Sequence, residues 1–465
     1  MTGELRVAVV GHTNTGKTSL MRTLLRDTRF GEVRDAPATT RHVEGAELLV
    51  DGVSVLALYD TPGLEDAPGI LDWLEAHPGE RGEGARALQR FLAAPEAAMR
   101  FEQEAKVLRA LRDCDAGLYV IDAREPVLPK YRDELAVLAL CARPLLPLLN
   151  FVTGPGARIE AWREALAELG LHAVIEYDSV VFDAEGERRL FGKLASLLDA
   201  WREPLQRLLA SRERDLAWRR EAGARLIAEL LIDVAAAFQL VAADAADTAA
   251  AQEAFRSRVR RREQACIEAL LELFAFGGTE YLLAQLPLEQ GRWHTDLFTP
   301  EAMREYGLRA GRGAGVGAAA GLAVDALSAG LTLGVGTATG AALGALFANR
   351  RGLGRRMLHR LRGYREIRVD DATLRLLALR QLALLRALER RGHGTVSALQ
   401  AGEAASARWQ SGSLPAQLER ARVSDHWSGL NEGSHPEASA SRDAACRALG
   451  AQLNAELAAP PSGGR

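Results

Sequence analysis

The residues from Gly11 to Thr18 have the types and spacing needed to bind a polyphosphate. They follow the pattern G-x-x-x-x-G-K-T. The two glycines let successive backbone N–H groups point inward around an anion, the following helix directs its positive end to the same place, and Lys17 adds a full positive charge. The Thr18 hydroxyl offers an oxygen ligand to Mg²⁺. We call residues 11–18 the phosphate loop. The nucleotide-binding residues predicted here are Gly11, His12, Thr13, Asn14, Thr15, Gly16, Lys17, Thr18 and Ser19.

A second candidate site lies in the string D-T-P-G at residues 60–63. Asp60 ends an apolar run that is typical of a buried strand. A carboxylate at the end of such a strand, beside the phosphate loop, is well placed to bind Mg²⁺. Gly63 leaves the main chain free to approach a γ-phosphate. The two strings together predict a metal-dependent polyphosphate site.

The elements that must position these residues alternate between strands and helices. Val7–Val10 is an apolar run typical of a strand buried on both faces, and the residues up to Leu25 have helical spacing. An Asp51-Gly52 turn predicts a hairpin. The other predicted strands are Glu47–Val50, Val53–Tyr59, Ala116–Asp122, Pro144–Phe151 and Ala173–Tyr177. We therefore expect an α/β fold with a mostly parallel sheet and helices on both faces.

On these motifs the chain resembles the Era, TrmE and Der group of translation-factor-class GTPases. The string T-T-R-H at residues 39–42 is similar to the switch I motif of that group, and Asp60 with Gly63 is similar to its switch II motif. The resemblance implies a P-loop NTPase fold over residues 1–200, with GTP or GDP and Mg²⁺ as cofactors. It also implies a bacterial family in which such a domain is fused to an uncharacterised helical domain with a glycine-rich segment.

The same resemblance implies roles for individual residues. Thr40 matches the threonine that closes over Mg²⁺ in the GTP state, so Thr18, Thr40 and Asp60 are the predicted magnesium ligands. The predicted catalytic residues are Lys17, Thr40 and Gly63. Lys17 would contact the β- and γ-phosphates, and Gly63 would sense the γ-phosphate.

The base-recognition loops match the family less closely. Asn150 matches the first residue of the family's N-K-x-D motif, but Phe151 and Thr153 replace its lysine and aspartate. Asp178 and Ser179 stand in the place of the family's S-A-K loop. We predict that Asn150, Asp178 and Ser179 contact the base. GTP is the expected nucleotide, while ATP or low base discrimination remains an alternative because a threonine cannot replace a bidentate carboxylate.

Two residues bear on the hydrolysis rate. Leu64 follows the D-x-x-G motif, where many small GTPases carry a glutamine that orients the attacking water, so we expect a low intrinsic rate. Asn14 matches the asparagine that binds K⁺ in potassium-activated members of the group. K⁺-stimulated hydrolysis is therefore predicted, and the alternative is a turn residue that tolerates unusual backbone angles.

The rest of the chain has helical spacing. Two helices are predicted within Asp72–Leu111, either as a partner-coupling insertion or as an elaborated surface. From Trp201 onward strand patterns disappear, and an all-α domain is expected.

Arg256–Arg262 contains five arginines, which we interpret as a solvated helix face, with a lipid or partner contact as the alternative. Helices are also predicted over Ile367–Arg391 and Ala440–Ala458.

Residues 311–349 are rich in glycine at four-residue spacing, a pattern that lets two helices approach closely. We predict a glycine-rich helical hairpin. It could pack within the helical domain or between two copies of the chain, or it could associate with a membrane, since arginines flank both ends. The cost of placing Asp325 in lipid favours the packed alternatives. A homodimer could form through this hairpin or through the switch regions.

Composition limits the function classes. With 48% hydrophobic and 26% charged residues, the 465-residue chain has the composition of a globular protein of two or three domains. A net charge of −3 argues against nucleic acid as a partner. The four cysteines lack C-x-x-C spacing, so neither a zinc site nor a disulfide framework is predicted. We expect a cytoplasmic protein without a signal peptide, with the inner membrane as the alternative location for the hairpin.

The predicted organisation is a GTPase domain at 1–200, a helical domain at 201–310, the glycine-rich hairpin at 311–349, and a second helical part with a flexible tail at 350–465. The predicted function is a Mg²⁺-dependent GTP-hydrolysing switch that controls the helical domain. An Era-like ribosome or RNA maturation factor and a nucleotide-binding scaffold without turnover are the alternatives.

Overall fold

The computed structural model describes residues 4–25, 45–78, 83–154, 156–179, 184–242, 248–274, 288–289, 292–308, 322–324, 364–389, 407–410, 413–431 and 439–458. The chain divides into two compact units, one of which contains residues 1–215 and the other most of 216–465. The division falls within one helix, Arg202–Ala236. The predicted domain extents, with boundaries after residues 200, 310 and 349, stay predictions.

The first unit contains a six-stranded sheet in the order β2-β3-β1-β4-β5-β6. Neighbouring strands are parallel except for β2 and β3, which form the predicted hairpin. Asp51 and Gly52 make its turn with φ angles of 51° and 78°. The α/β prediction with a mostly parallel sheet is confirmed. The strands are β1 Leu5–Val10, β2 Gly45–Val50, β3 Val53–Asp60, β4 Ala116–Asp122, β5 Leu145–Asn150 and β6 Ile175–Glu176.

Helices cover both faces of this sheet. Alternate residues of β1 point in opposite directions, so that Val7 and Val9 contribute to one buried cluster and Ala8 and Val10 to the other. The face with Val7 packs against α1 Lys17–Leu25, α8 Ala184–Leu197 and the start of α9 Arg202–Ala236. The opposite face packs against α6 Pro129–Ala139, α7 Ile159–Glu168 and the helices that follow Gly63.

The prediction of two helices within Asp72–Leu111 is wrong, because the described part of this region contains four. Ala94 has an extended conformation at φ −74° and ψ 148°, and Pro95 begins a further short helix between the two longer ones. The helices are α2 Ala67–Ala76, α3 Gly84–Ala93, α4 Pro95–Met99 and α5 Glu102–Asp113.

The second unit is mainly helical, as predicted. Its helices beyond α9 are α10 Thr248–Leu273, α11 Pro300–Glu305, α12 Asp371–Glu389, α13 Ala407–Gln410, α14 Ala416–Ala421 and α15 Ala440–Ala458. It also contains short antiparallel strands, which the all-α prediction omitted. These are β7 Gln239–Ala242, β8 Leu288–Glu289, β9 Arg292–Trp293, β10 Leu322–Val324 and β11 Tyr364–Val369, in the sheets β10-β11-β7 and β8-β9.

Two other sequence predictions are corrected in this unit. Ile367–Val369, predicted to begin a helix, belong to β11, and the helix begins at Asp371. The five arginines of 256–262 do not form a simple solvated face, since Arg260 pairs with Asp296 at 2.6 Å and Arg262 with Asp233 at 2.7 Å.

The glycine-rich segment is described only at Leu322–Val324, and these residues form β10 where a helix was expected. The rest of 311–349, the 39–42 string with Thr40, and the carboxyl-terminal tail from 459 lie outside the described residues. Among the helices that the structure describes, none has the length and hydropathy to cross a bilayer.

Candidate functional site

The phosphate loop connects β1 to α1 and has a backbone that requires glycine at both ends of its turn. Gly11 has a φ of 143° and Gly16 a φ of 90°. A Cβ atom on Gly11 would lie 2.4 Å from the carbonyl oxygen of Val120, and one on Gly16 would lie 2.4 Å from Nδ2 of Asn150. The loop therefore packs against β4 and β5 so closely that no side chain fits.

Lys17 is held inside the curve of this loop. Its side chain is buried, and Nζ donates to the carbonyl oxygens of Gly11 at 3.1 Å and His12 at 2.8 Å. Burial lowers the pKa of the Lys17 ammonium, while the carboxylate of Asp60 is the largest of the influences that raise it. The ammonium group is thus held by carbonyl oxygens of the loop, where it can pair with an anion.

The predicted magnesium ligands Thr18 and Asp60 come together. Thr18 Oγ1, in the first turn of α1, donates to Asp60 Oδ2, at the end of β3, over 2.7 Å. Mg²⁺ binds oxygen ligands and is usually held by one or two protein groups together with substrate phosphates. A hydroxyl and a carboxylate side by side at the phosphate loop fit this ion. Thr40, the third predicted ligand, lies outside the described residues.

Gly63 and Leu64 lie directly on the phosphate loop. A Cβ atom on Gly63 would lie 2.0 Å from Oγ1 of Thr13 and 2.8 Å from its main-chain nitrogen. The N–H of Leu64 donates to the Gly11 carbonyl at 3.2 Å, and Thr13 Oγ1 donates to Glu65 Oε1 at 2.5 Å. The segment predicted to sense a γ-phosphate is therefore in contact with the loop predicted to bind it.

Asn150 joins the phosphate loop to the two base-recognition loops. Its Nδ2 donates to the Thr15 carbonyl at 2.9 Å, and its Oδ1 accepts from the main-chain N–H groups of Phe151 at 3.0 Å and Ser179 at 2.8 Å. The side chain is completely buried. Further along α1, Thr23 donates to the carbonyl oxygens of Ser19 and Ser179.

Two of the residues that depart from the family's base motifs contact each other. Thr153 Oγ1 donates to Oδ2 of Asp178, and Asp178 is buried. A carboxylate is thus present beside the position where the family motif carries its aspartate, but it comes from the neighbouring loop. The sequence indicated each departure separately and gave no sign that the two side chains would meet.

Sequence reasoning missed Arg124 and the role of Phe151. Phe151 has a φ of 59°, and its ring lies 3.0 Å from where a Cβ of Gly16 would be. The guanidinium of Arg124 lies 4.2 Å from the centre of this ring and pairs with Asp122 at 2.6 Å. An aromatic face supported by a cation therefore lies next to the phosphate loop.

The structure thus brings nearly all predicted site residues to one edge of the sheet. Residues 11–19, Asp60, Gly63, Asn150 and Ser179 are linked by the contacts above. Asn14 is exposed on the loop with a φ of 65°, which fits the turn interpretation, and K⁺ binding stays a prediction. The site therefore combines a glycine-framed loop around a buried ammonium, a pair of oxygen groups that fits Mg²⁺ and an adjoining aromatic face.

Comparison with known families accounts for both units. A family model described as a domain of unknown function, DUF3482, matches residues 163–451, which is more than half of the chain. The chain belongs to the DUF3482 family. A second model, described as a 50S ribosome-binding GTPase, matches residues 6–150 of this DUF3482 protein. The first unit therefore begins with a GTP-binding P-loop GTPase domain of the Era, Der and MnmE type, and the DUF3482 match starts within the same unit, at residue 163.

Individual relatives match short parts of the chain. GTPase Der of Xylella fastidiosa is 32% identical over 148 residues, which are 32% of this chain and 26% of that protein. The tRNA modification GTPase MnmE of Synechococcus sp. is 47% identical over 70 residues, 15% of each chain. The DUF3482 chain thus spans about a quarter or less of the length of these relatives.

One solved structure that is similar to this chain is that of Era in complex with MgGDPNP and nucleotides 1506–1542 of 16S ribosomal RNA. It is 16% identical, with a TM-score of 0.27, over 38% of this chain and 52% of that chain. The fold of the first unit is established by its strand order and by the family model.

Proposed function

We propose that this protein binds GTP together with Mg²⁺, hydrolyses it slowly, and uses the nucleotide state to control its helical domain. The observation that carries the proposal is the Thr18–Asp60 pair at 2.7 Å, next to the buried Lys17 ammonium. A hydroxyl, a carboxylate and a cation in this arrangement suit a metal-bound polyphosphate.

Each residue would have one task. Lys17 and the amides of the phosphate loop would bind the β- and γ-phosphates, and Thr18 and Asp60 would hold the metal. Bound Mg²⁺ would supply positive charge that offsets the charge developing on the phosphoryl oxygens. The main-chain N–H of Gly63 would donate to the γ-phosphate, so the position of this segment would differ between the triphosphate and diphosphate complexes. Thr40 would complete the metal site as the resemblance implies.

Base selectivity would come from the paired loops. Guanine presents two neighbouring donors, N1–H and N2–H, to a carboxylate, whereas adenine has the acceptor N1 and only a C–H group at the corresponding positions. The buried Asp178, oriented by the Thr153 hydroxyl, is a suitable acceptor. Phe151 offers a face on which a purine can stack. These features favour GTP over ATP.

The rate would be low without a further cation. Leu64 is fully buried and has no group that could orient water. K⁺ bound by Asn14 would supply the missing charge, as the MnmE and Der likeness suggests. A scaffold that binds GTP without turnover is the alternative that Leu64 keeps open.

The test is to measure GTP and ATP affinity, each with Mg²⁺ and with EDTA, and then GTP hydrolysis in KCl. GTP binding that is stronger than ATP binding and weakened by EDTA is expected, with slow turnover in KCl. The absence of GTP binding would contradict the proposal, and binding without turnover in KCl would favour the scaffold.

Membrane association of 311–349 remains a second proposal for how the switch acts. It rests on glycines at four-residue spacing between flanking arginines. Co-sedimentation of the full chain with anionic vesicles, lost when 311–349 is deleted, would support it. A chain that stays in the supernatant with such vesicles would favour the hairpin packed in the protein or between two copies.

A further inference from the structure

The imidazole of His12 connects three parts of the GTPase domain. His12 is the second residue of the phosphate loop, yet its side chain is directed toward α6. Its Nδ1 lies 3.0 Å from the carbonyl oxygen of Leu64 and 2.8 Å from Glu134 Oε1, and its Nε2 lies 3.0 Å from Lys130 Nζ. Phosphate loop, switch II segment and α6 therefore meet at one ring.

A single tautomer of the ring satisfies all three contacts. With its hydrogen on Nδ1, His12 donates to both the Leu64 carbonyl and the Glu134 carboxylate, while the Nε2 lone pair accepts from the Lys130 ammonium. We assign this tautomer from the partners, since a lysine can only donate and a carbonyl can only accept. The ring is thus oriented from both sides.

Glu134, which accepts the hydrogen bond from His12, is almost completely inaccessible to solvent. Its exposed fraction is 1%, and its second oxygen accepts from the Tyr119 hydroxyl on β4 at 2.8 Å. Burial raises the pKa of Glu134, and its bonds with Tyr119 and His12 oppose that shift. A carboxylate in such surroundings is costly unless its hydrogen bonds are made. Tyr119 and His12 provide them.

The contact acts on the residue that follows Gly63. The N–H of Leu64 donates to the Gly11 carbonyl at 3.2 Å, and its carbonyl accepts from His12. Both main-chain polar groups of Leu64 are therefore bound to the phosphate loop. Because the peptide group between Gly63 and Leu64 is planar, the Leu64 contacts also fix the Gly63 carbonyl, and this limits the positions that the Gly63 main chain can take.

We propose that His12 is a positioning residue for hydrolysis. Supported by Glu134 of α6, it holds the Leu64 carbonyl and so directs the Gly63 N–H toward the γ-phosphate. This inference rests on the proposed nucleotide hydrolysis and adds to it a side chain that acts through the main chain of Leu64. GDP has no γ-phosphate, so GDP binding does not depend on this contact.

The test compares H12A and H12N with the wild-type full chain in KCl and Mg²⁺. For H12A we expect kcat for GTP to fall about tenfold, the effect of losing one hydrogen bond to a charged or strongly polar partner. GDP affinity should stay within about threefold of wild type. H12N should restore most of kcat, because the asparagine amide nitrogen stands near the position of Nδ1.

Y131F is the matched control. Tyr131 lies on α6 with its ring edge-on to His12 at 5.7 Å, and the variant keeps that ring. Its kcat should equal that of wild type. An H12A enzyme with unchanged kcat would overturn the proposal. So would an equal loss of kcat and GDP affinity in both H12A and H12N, since that pattern indicates general damage to the phosphate loop.

A second measurement separates this proposal from the proposed function. Hydrogen exchange at the Leu64 amide, which donates to the Gly11 carbonyl, reports in protein without nucleotide how firmly the His12 contact holds this residue. Exchange should be about tenfold faster in H12A than in wild type or Y131F. If wild-type protein bound no nucleotide but this difference appeared, the proposed function would fail while the positioning contact stood. Equal exchange in H12A and wild type would overturn the positioning role.

Discussion

Asn150 Nδ2 donates to the carbonyl oxygen of Thr15 over 2.9 Å, which ties the end of β5 to the phosphate loop. The other side of the same amide accepts from the Ser179 N–H. One buried side chain thus sets the distance between the site for phosphates and the loops proposed to contact the base. The loop proposed to bind phosphates and the loops proposed to contact the base are therefore joined by one side chain.

Substitution of Asp178 tests how the base is recognised. In D178N the carboxylate becomes an amide, which can no longer accept two hydrogen bonds from guanine. We expect GTP affinity to fall by about 10- to 100-fold and ATP affinity to change little. Isothermal titration with both nucleotides provides the measurement.

D51N is the appropriate control for this variant. It makes the same chemical change in the β2–β3 turn, at an exposed residue with a φ of 51° that asparagine tolerates. Its nucleotide affinities should match those of wild type. Equal GTP affinity in D178N and D51N would show that Asp178 does not contact the base.

The Thr18–Asp60 contact predicts that removal of the Thr18 hydroxyl weakens the dependence of GTP binding on Mg²⁺. T18A removes the hydroxyl at 2.7 Å from Asp60, whereas T18S keeps it. In wild type, Mg²⁺ should strengthen GTP binding, and in T18A that gain should shrink by about tenfold or more. Affinity in EDTA should be the same in all three proteins. A T18A protein with the full Mg²⁺ effect would argue against Thr18 as a ligand.

Potassium dependence is best tested with N14G. Asn14 has a φ of 65°, and glycine adopts this conformation without strain, so the variant removes the side chain and keeps the loop geometry. Wild-type hydrolysis should be at least about tenfold faster in KCl than in NaCl, and N14G should lose this difference. Equal wild-type rates in the two salts would refute the K⁺ prediction. A K⁺ effect that persists in N14G would favour the turn interpretation of Asn14.

Local patterns account for the parts of the site that sequence predicted. The D-x-x-G string placed Asp60 at the end of β3 because an apolar run and a turn are both encoded within a few neighbouring residues. The phosphate loop was identifiable for the same reason. The helix predicted over Ala440–Ala458 has the same bounds as α15.

Contacts between distant segments could not be predicted in this way. Strand β7 pairs with β11 although more than one hundred residues separate them, and both strands are short. The Thr153–Asp178 and His12–Glu134 contacts likewise depend on where loops and helices meet in space. The sequence shows which residue types are available for such contacts. Which strands and side chains pair with each other follows only from the packed fold.

Glu263 predicts how the stability of the helical unit depends on pH. Its carboxylate, on α10, is buried beside Arg380, with Oε1 at 3.7 Å from Nη1 of that arginine. Burial raises the pKa of Glu263 from 4.5 to about 7, and Arg380 opposes the shift. The folded protein therefore holds this proton more tightly than the unfolded chain does. The resulting contribution of Glu263 to the free energy of unfolding is fully present below about pH 4.5 and is lost as pH rises through about 7.

The variant E263Q isolates this contribution, since glutamine resembles the protonated carboxyl and does not titrate. Between pH 5 and pH 8, the free energy of unfolding of wild type should fall by up to about 3 kcal/mol more than that of E263Q. Urea denaturation of both full-length proteins at the two pH values measures this difference in the free energy of unfolding. The contributions of other titrating groups are the same in both proteins and cancel in the comparison. Parallel pH profiles for the two proteins would mean that Glu263 stays ionised in the fold, held by Arg380.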